Sequence, residues 1–222
     1  MNDYLNRIEI LVTKEKLKNL KKKKVLICGV GGVGSFVAEA LARSGIRDIT
    51  ICDYDTIDKT NLNRQLMTAK DNIGEIKVDA LKKRLESISE AKVTTLNTFI
   101  DESFILDKYD YVVDCIDTLS SKFELVKKAH ALNIPILSSL GTAKRLTCEN
   151  IKRTTLDKTK NDPLAKAFRN LVKKNNYKKK INVVYVDSPA IKCKELGSSI
   201  FTVGSAGLFI ASEVFNDLLK EC

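Results

Sequence analysis

The chain has 222 residues and a formal net charge of +10, and 44% of its residues are hydrophobic. That length suits one large domain, residues 1–222, with a substantial core, and the absence of any run of about 18 apolar residues argues against a membrane span. The six scattered cysteines never fall as C-x-x-C, and the N-terminus lacks a signal-peptide layout, so we expect a cytoplasmic protein without a zinc clip or a disulfide framework.

The positive charge is concentrated in one segment. Residues 144–180 contain 13 Lys and Arg against 3 Asp and Glu, a difference of +10, so the rest of the chain balances to zero. Such a segment favours a surface that binds a polyanion. A solvated lysine-rich face is the alternative that composition leaves open.

The chain begins with a helical pattern at residues 3–20, in which Thr13 is the expected N-cap of the second half. Residues 25–28 form an unbroken apolar run, which is typical of a strand buried on both faces of a parallel sheet. The next helical pattern ends near Gly45, a residue type that suits the position after a helix C-terminus.

A glycine-rich turn joins this first strand to its helix. Gly29, Gly31 and Gly34 form G-x-G-x-x-G, with Gly32 as an additional glycine. Glycines let the backbone approach a phosphate, and the start of the helix offers unpaired N–H groups at its positive end. The order of strand, glycine turn and helix therefore predicts a nucleotide site, whereas a tight turn without a ligand is the simpler alternative.

The second strand, residues 46–53, ends in an acidic residue. Asp53 follows Gly29 by 24 residues, where an acid in a dinucleotide-binding fold accepts hydrogen bonds from ribose hydroxyls. The pattern then predicts a helix at 74–87, strands at 93–99 and 109–115, a helix at 120–132 and a strand at 135–139. This alternation predicts an α/β fold with a doubly wound, Rossmann-like parallel sheet in residues 1–141.

The character of the chain changes in residues 142–222. The pattern predicts short antiparallel strands at 145–148 and 150–154, a basic helix at 163–174, a strand at 182–186 and a largely apolar helix at 203–219. We therefore expect a mixed or antiparallel C-terminal half without a domain boundary. The apolar helix fits either the core or a subunit interface.

Charged residues near the glycine turn favour a triphosphate over a dinucleotide. Arg64 and Lys77 supply two cations, which suit phosphoryl oxygens. Asp117 follows the fourth strand, at the edge where doubly wound sheets bind ligands. A carboxylate there suits Mg²⁺, which takes one or two carboxylates together with phosphate oxygens and water. We expect ATP and Mg²⁺ from this combination, although each residue alone would be read as a surface charge.

The motifs of residues 1–141 resemble those of the adenylating-enzyme family related to ubiquitin activators. The motifs are, in order, Gly29-Val-Gly-Gly-Val-Gly34, Asp53-Tyr-Asp55, Asn61-x-Asn63-Arg64-Gln65, Gly74-x-x-Lys77 and Asp114-Cys-Ile-Asp117. The resemblance implies that Asp53 holds the ATP ribose and that Asp117 binds Mg²⁺. The remaining nucleotide contacts that it implies come from Asn61, Arg64, Gln65 and Lys77.

The same resemblance implies a homodimer. In that family an N-terminal arginine reaches the γ-phosphate of the partner subunit's ATP, and Arg7 stands in the matching place. The catalytic residues that the resemblance implies are Arg7, Arg64, Lys77 and Asp117. No general base is evident, because His130, the only histidine, fits a surface or packing role.

The C-terminal half resembles one branch of that family, the tRNA threonylcarbamoyladenosine dehydratases, at residues 155–165, 183–185 and 197–207. This resemblance implies that ATP adenylates the carboxylate of a threonylcarbamoyl group on the adenosine beside a tRNA anticodon, and that loss of AMP closes a ring. The tRNA is then expected on the basic helix, where Lys166, Arg169 and Lys173 share one face at i, i+3 and i+7.

Two other functions stay open. An activator of a ubiquitin-like sulfur carrier is one, although the C-x-x-C pairs usual in such activators are absent. A non-catalytic nucleotide-binding adaptor is the other, and it would not need Arg64, Lys77 and Asp117 together. A sulfur-relay protein is a further partner that the resemblance allows.

Overall fold

The structure, a computed structural model, describes residues 4–222. The strands of this part of the chain are β1 (Lys24–Cys28), β2 (Asp48–Cys52), β3 (Lys92–Leu96), β4 (Tyr111–Asp114), β5 (Ile136–Ser139), β6 (Ile151–Thr155) and β7 (Asn182–Val186). Its α-helices are α1 (Asn6–Val12), α2 (Lys14–Leu20), α3 (Gly34–Arg43), α4 (Lys77–Ile88), α5 (Leu119–Ala131), α6 (Pro163–Lys174) and α7 (Ile200–Lys220). None of the helices within residues 4–222 is long and apolar enough to cross a membrane.

One sheet contains strands from both halves of the chain, in the order β3-β2-β1-β4-β5-β7-β6. Neighbouring strands are parallel except for β6, which runs antiparallel to β7. The predicted α/β class, with a doubly wound parallel sheet and a mixed C-terminal half, is therefore confirmed. The strand order reverses at β1, which pairs with β2 on one side and β4 on the other.

Side chains of β1 alternate between two cores, which explains its unbroken apolar run. Val25 and Ile27 belong to the core that α3, α4 and α7 cover. Leu26 and Cys28 belong to the core on the opposite face, which α5 and α6 cover. All four of these side chains are fully buried.

The N-terminal helices pack where the sheet strands begin. Thr13 (φ 76°) separates α1 from α2 as predicted, but its side chain makes no capping hydrogen bond. The turn after α3 contains Gly45 at φ +96°, where a Cβ would lie 3.0 Å from Leu17 Cδ1 and 3.3 Å from Leu5 Cδ1. Gly45 therefore ends this helix through the positive φ that glycine adopts freely, as expected.

Several predicted boundaries differ from the structure, among them that of β3, predicted at 93–99 and found at Lys92–Leu96, and one predicted strand is absent. The expected strand at 145–148 does not form, because the side chain of Arg145 is drawn inward by backbone carbonyls and Lys144 turns the chain at φ 59°. Helix α7 begins at Ile200 rather than 203, because Ser199 caps it by accepting a hydrogen bond from the Thr202 N–H. Helix α4 begins at Lys77 rather than 74, because Gly74 has φ +94°.

Candidate active site

A cavity of about 690 Å³ opens at the carboxyl ends of the parallel strands, beside the point where the strand order reverses. One end, which we call the nucleotide end after the sequence prediction, is lined by the glycine turn and by the residues that follow β2, β3 and β4. Its other end, which we call the acceptor end, is lined by residues 139–143 together with Leu164, Leu196 and Ser198. The predicted residues in the lining are Gly29, Gly31, Gly32, Asp53, Asn61, Arg64, Gln65, Lys77 and Asp117.

The four glycines of the turn have different physical roles. Gly29 has φ +81°, and a Cβ there would lie 2.7 Å from the carbonyl carbon of Cys115. A Cβ on Gly34, which lies outside the lining, would lie 1.8 Å from the carbonyl oxygen of Gly29. These two positions need glycine for the turn itself. In contrast, the nearest atom to a Cβ on Gly31 is Gln65 Nε2 at 3.6 Å, so the fold leaves room there for a ligand.

Asp53 ties the glycine turn to the end of β2. One carboxylate oxygen accepts from the Val30 N–H at 2.7 Å, and the other accepts from the Asp55 N–H at 2.9 Å. The carboxylate is half-buried and lines the cavity. Each oxygen keeps a free lone pair, so Asp53 can hold the turn and still accept a hydroxyl hydrogen bond.

The two predicted cations are anchored by neighbouring acceptors. Lys77 is only 6% exposed, and its ammonium lies 2.7 Å from Asp55 Oδ2. The Arg64 guanidinium donates to the Thr60 carbonyl and to Asn63 Oδ1, each at 2.9 Å. These contacts point both cations into one polar region, where charge-assisted hydrogen bonds to phosphate can form.

Two buried amides complete the nucleotide end. Asn61 accepts from the Asp58 N–H through Oδ1 at 3.0 Å, which leaves its NH₂ group as the available donor. Gln65 is 7% exposed, and its Oε1 has no hydrogen-bond partner among the described residues. A buried amide oxygen without a partner is costly, so this atom fits a contact with a bound ligand.

Asp117 is an exposed carboxylate at the rim, after β4. Its contact with protein is a 3.4 Å hydrogen bond from the Thr118 hydroxyl, so its oxygens are available to a cation. The loop before it is fixed by Asp114, which accepts from the Ile116 N–H at 3.1 Å and from the Lys122 ammonium at 2.8 Å. Among residues 4–222 no group of three or more His, Cys, Asp or Glu could hold a metal, so a cation here would depend on a ligand for most of its coordination.

Two aromatic residues at the nucleotide end are not identified by the sequence patterns. Tyr54 and Phe99 form an edge-to-face pair with ring centroids 5.0 Å apart on the cavity wall. The charge of Asp55 is the main reason that the pKa of Tyr54 is raised. Tyr54 stands within the Asp53-Tyr-Asp55 motif, which could have revealed it, whereas Phe99 had no signal beyond its position after a strand.

Two cysteines, Cys52 and Cys115, line the cavity, and the lone histidine lies elsewhere. Burial raises the pKa of the Cys115 thiol to about 12, so this cysteine is protonated at neutral pH and is a poor nucleophile. His130 lies outside the lining, where its Nδ1 is 2.5 Å from the Tyr177 hydroxyl. Burial, with a contribution from the charge of Lys179, lowers the pKa of His130. The packing role expected for it agrees with these contacts.

Arg7 does not line the cavity of its own chain. It is exposed on α1, and the residues just before α1 are anchored where the strands begin. Leu5 packs at Gly45, and the Tyr4 hydroxyl accepts a 3.3 Å hydrogen bond from the Glu90 N–H. The cavity opens where the strands end, so Arg7 lies apart from the other predicted catalytic residues.

On helix α6, the three residues expected to bind tRNA lie in different environments. Lys166 and Lys173 are exposed. Arg169 instead turns back onto residues 156–159 and donates to the carbonyls of Leu156 at 3.5 Å and Thr159 at 3.1 Å. The predicted face therefore presents two free lysines, with a half-buried arginine between them.

The sequence pattern that defines the ThiF family matches residues 4–218. This chain belongs to the ThiF family. Among its curated relatives in the family, the tRNA threonylcarbamoyladenosine dehydratase of Bacillus subtilis is 37% identical, over 100% of this chain and 96% of the relative. The protein of the same name from Haemophilus influenzae is 32% identical, over 95% of this chain and 91% of the relative.

Solved structures of this ThiF-family fold match the whole chain as well. The crystal structure of E. coli tRNA N6-threonylcarbamoyladenosine dehydratase, TcdA, in complex with AMP has a TM-score of 0.94 and 27% identity, covering 98% of this chain and 95% of that one. The same enzyme in complex with ATP has a TM-score of 0.92 and 28% identity, covering 98% and 94%. The resemblance to this branch of the ThiF family, inferred above from motifs in both halves, is confirmed.

Proposed function

We propose that this protein is an ATP-dependent tRNA threonylcarbamoyladenosine dehydratase. The observation that carries the proposal is one cavity, which is lined by the predicted nucleotide residues other than Gly34 and continues into a separate acceptor end. Two relatives named for this activity match the chain over more than 90% of their own length, and TcdA has been crystallised with ATP and with AMP. An adaptor that only binds a nucleotide would not need the acceptor end.

The nucleotide end holds ATP in this proposal. The ribose lies at Asp53, and the phosphates lie between the start of α3 and the cations of Arg64 and Lys77. The cations stabilise negative charge as it builds on the α-phosphate and on the leaving pyrophosphate. Asp55 orients the ammonium of Lys77 in advance of binding, since the two groups are already 2.7 Å apart.

The carboxylate of the threonylcarbamoyl group is the nucleophile. One of its oxygens attacks the α-phosphorus, the bond to pyrophosphate breaks, and an acyl-adenylate forms. An atom of the neighbouring carbamoyl group then attacks the activated carbonyl carbon, the carbamoyl group loses one N–H proton to water, AMP leaves with the carboxylate oxygen, and a ring closes. The net change in the nucleoside is the loss of one water.

Asp117 would hold Mg²⁺, because its exposed carboxylate has only a long hydroxyl contact and faces the nucleotide end. When bound, the ion neutralises phosphate charge and screens the oxygens of the leaving group. The protein supplies one carboxylate and leaves the remaining coordination to phosphate oxygens and water. The site residues thus divide into those that bind phosphate and one that binds the ion.

Two partners belong to the proposal. The tRNA backbone would lie along α6, where Lys166 and Lys173 are exposed. A second copy of the chain would complete the site through Arg7, because Arg7 lies away from its own cavity. Exposed apolar side chains on α1 and α7 support a contact between copies: Ile10, Leu11, Phe201 and Leu208. A sulfur-relay protein stays a prediction that none of these contacts addresses.

The test is mass spectrometry of nucleosides from tRNA incubated with the protein, ATP and Mg²⁺. We expect threonylcarbamoyladenosine to lose the mass of one water, with one AMP formed per event. Asp117→Ala should abolish turnover without loss of fold, whereas Asp107→Ala, an exposed acid outside the cavity, should retain it. Unchanged nucleosides in the presence of intact ATP binding would refute the proposal and favour the adaptor.

A further inference from the structure

A buried arginine lies directly behind the acceptor end. Arg145 is 4% exposed, and no carboxylate pairs with it within 4.0 Å in the part of the chain that the structure describes. Its guanidinium donates instead to four backbone carbonyls, those of Gly141 (3.2 Å), Ala143 (3.0 Å), Asn161 (3.1 Å) and Ser188 (3.2 Å). Burial lowers the pKa of Arg145, and the charge of Asp162 opposes that effect.

These carbonyls belong to segments that wall the acceptor end or directly adjoin its lining. Gly141 and Ala143 are themselves part of the lining. Asn161 precedes Asp162, which caps α6 close to Leu164 of the lining. Ser188 lies in the loop 187–199, whose Leu196 and Ser198 line the same end. One side chain therefore joins three separate segments around a single space.

The backbone around Arg145 holds the same loop from another side. The Arg145 carbonyl accepts from the Ser199 hydroxyl at 3.1 Å and from the Thr202 hydroxyl at 3.0 Å, at the start of α7. Lys144 donates its N–H to the Gly197 carbonyl, and its carbonyl accepts from the Ile191 N–H, each at 2.8 Å. Residues 191–197 are exposed and lie outside helices and strands, so these bonds fix the position of the loop.

Asn63 links the nucleotide end to the loop, because its side chain donates to the Ser198 carbonyl at 3.0 Å and accepts from the Arg64 guanidinium at 2.9 Å. None of the hydrogen bonds of Arg145 reaches the glycine turn, Asp53, Lys77 or Asp117. The acceptor end also has a distinct chemistry, since Leu140, Leu164 and Leu196 line it together with residues 141–143. Apolar walls with a few fixed polar groups suit a nucleoside that carries an amino-acid group.

We propose that Arg145 is a positioning residue that shapes the acceptor end for the modified adenosine of tRNA. The inference rests on the proposed function and assigns its second substrate to a particular part of the cavity. Arg145 touches neither substrate; it acts through the carbonyls that it holds. Loss of its guanidinium should release the loop 187–199 and the wall at 141–143 together.

The experiment compares Arg145→Met and Arg145→Lys with Arg84→Met, whose guanidinium joins α4 to Glu39 of α3 away from the cavity. We expect Arg145→Met to raise the KM for tRNA by about tenfold or more, because small misplacements at a reacting centre are costly. The Kd for ATP without tRNA should change by less than about twofold, and hydrogen exchange in residues 187–199 should accelerate. Arg145→Lys, which retains a donor cation, should raise the KM for tRNA less than Arg145→Met does. Arg84→Met should change neither the KM for tRNA nor the Kd for ATP.

A proportional loss of ATP affinity and tRNA KM in Arg145→Met would overturn the inference, because it would indicate a general structural role. Unchanged hydrogen exchange in residues 187–199 would also overturn it, whether or not the protein modifies tRNA. If wild-type protein leaves tRNA unmodified, the proposed function fails, and the exchange and ATP measurements still test Arg145. If Arg145→Met does not fold, the same comparison of KM, Kd and hydrogen exchange in Arg145→Lys tests whether Arg145 is a positioning residue.

Discussion

The ion pair beneath the cavity offers a test of how the site is supported. Lys122 and Asp114 are both fully buried, with Lys122 Nζ 2.8 Å from Asp114 Oδ2. The ammonium also donates to the Ser139 carbonyl at 2.9 Å. Lys122→Met removes both bonds while keeping the volume of the side chain, and it leaves a carboxylate buried without its counter-charge.

The expected loss is large because of that burial. Removing one partner of a buried pair costs about 3–5 kcal/mol, and an orphaned carbonyl adds roughly 1 kcal/mol. We therefore expect Lys122→Met to lower the free energy of unfolding by about 5 kcal/mol and the Tm by roughly 15 °C for a chain of this size. The double variant Lys122→Met/Asp114→Asn removes both charges and should lose about half as much or less, since buried pairs are often replaced by neutral groups at little cost.

Urea denaturation followed by circular dichroism without nucleotide measures these free energies. Lys128→Met is the matched control, because Lys128 lies on the same helix and its ammonium donates to the Glu102 carbonyl at the surface. That control should change the free energy of unfolding by less than about 0.5 kcal/mol. A loss below about 1 kcal/mol in Lys122→Met, or a double variant as unstable as the sum of the single ones, would refute the reasoning.

Three further outcomes follow from the site. Gly34→Ala should prevent stable folding, as measured by circular dichroism, because its Cβ would lie 1.8 Å from a backbone oxygen. Gly31→Ala, by contrast, should fold but lose ATP affinity, as measured by titration calorimetry. Mixed Arg7→Ala and Asp117→Ala chains should regain part of the turnover in heterodimers; no recovery, or a monomer by sedimentation, would contradict the shared site. Replacing Lys166 and Lys173 by alanine should weaken tRNA binding and flatten its dependence on salt by roughly one unit per contact, and an unchanged slope would leave α6 a solvated face.

Sequence patterns were sufficient where burial or covalent geometry imposes a local rule. The run at 25–28 identified β1 because a strand that is buried on both faces carries apolar side chains at nearly every position. Asp53 and Asp117 could be placed at one site because the carboxyl ends of parallel strands meet at the same edge. The glycines were recognised as a motif, although only the structure distinguishes Gly34, which the turn requires, from Gly31, which it does not.

Sequence patterns failed where distant backbone groups decide the outcome. The residues at 145–148 have a composition compatible with a strand, but the guanidinium of Arg145 is held by carbonyls as far along the chain as Ser188. Arg169 has helical spacing with two lysines, yet its donors are taken by residues 156 and 159. Hydrogen bonds from side chains to distant backbone carbonyls produce no periodic pattern in the sequence, because every residue has a carbonyl acceptor.

The contact between Lys77 and Asp55 determines when the side chain of Lys77 becomes ordered. A free lysine samples many rotamers, and fixing one costs up to about 2 kcal/mol of entropy. Here the side chain is 6% exposed and its ammonium lies 2.7 Å from a carboxylate. Asp55 occupies one of the three ammonium donors, so two remain for phosphate oxygens. The freedom of Lys77 is therefore lost when the chain folds rather than when the nucleotide arrives.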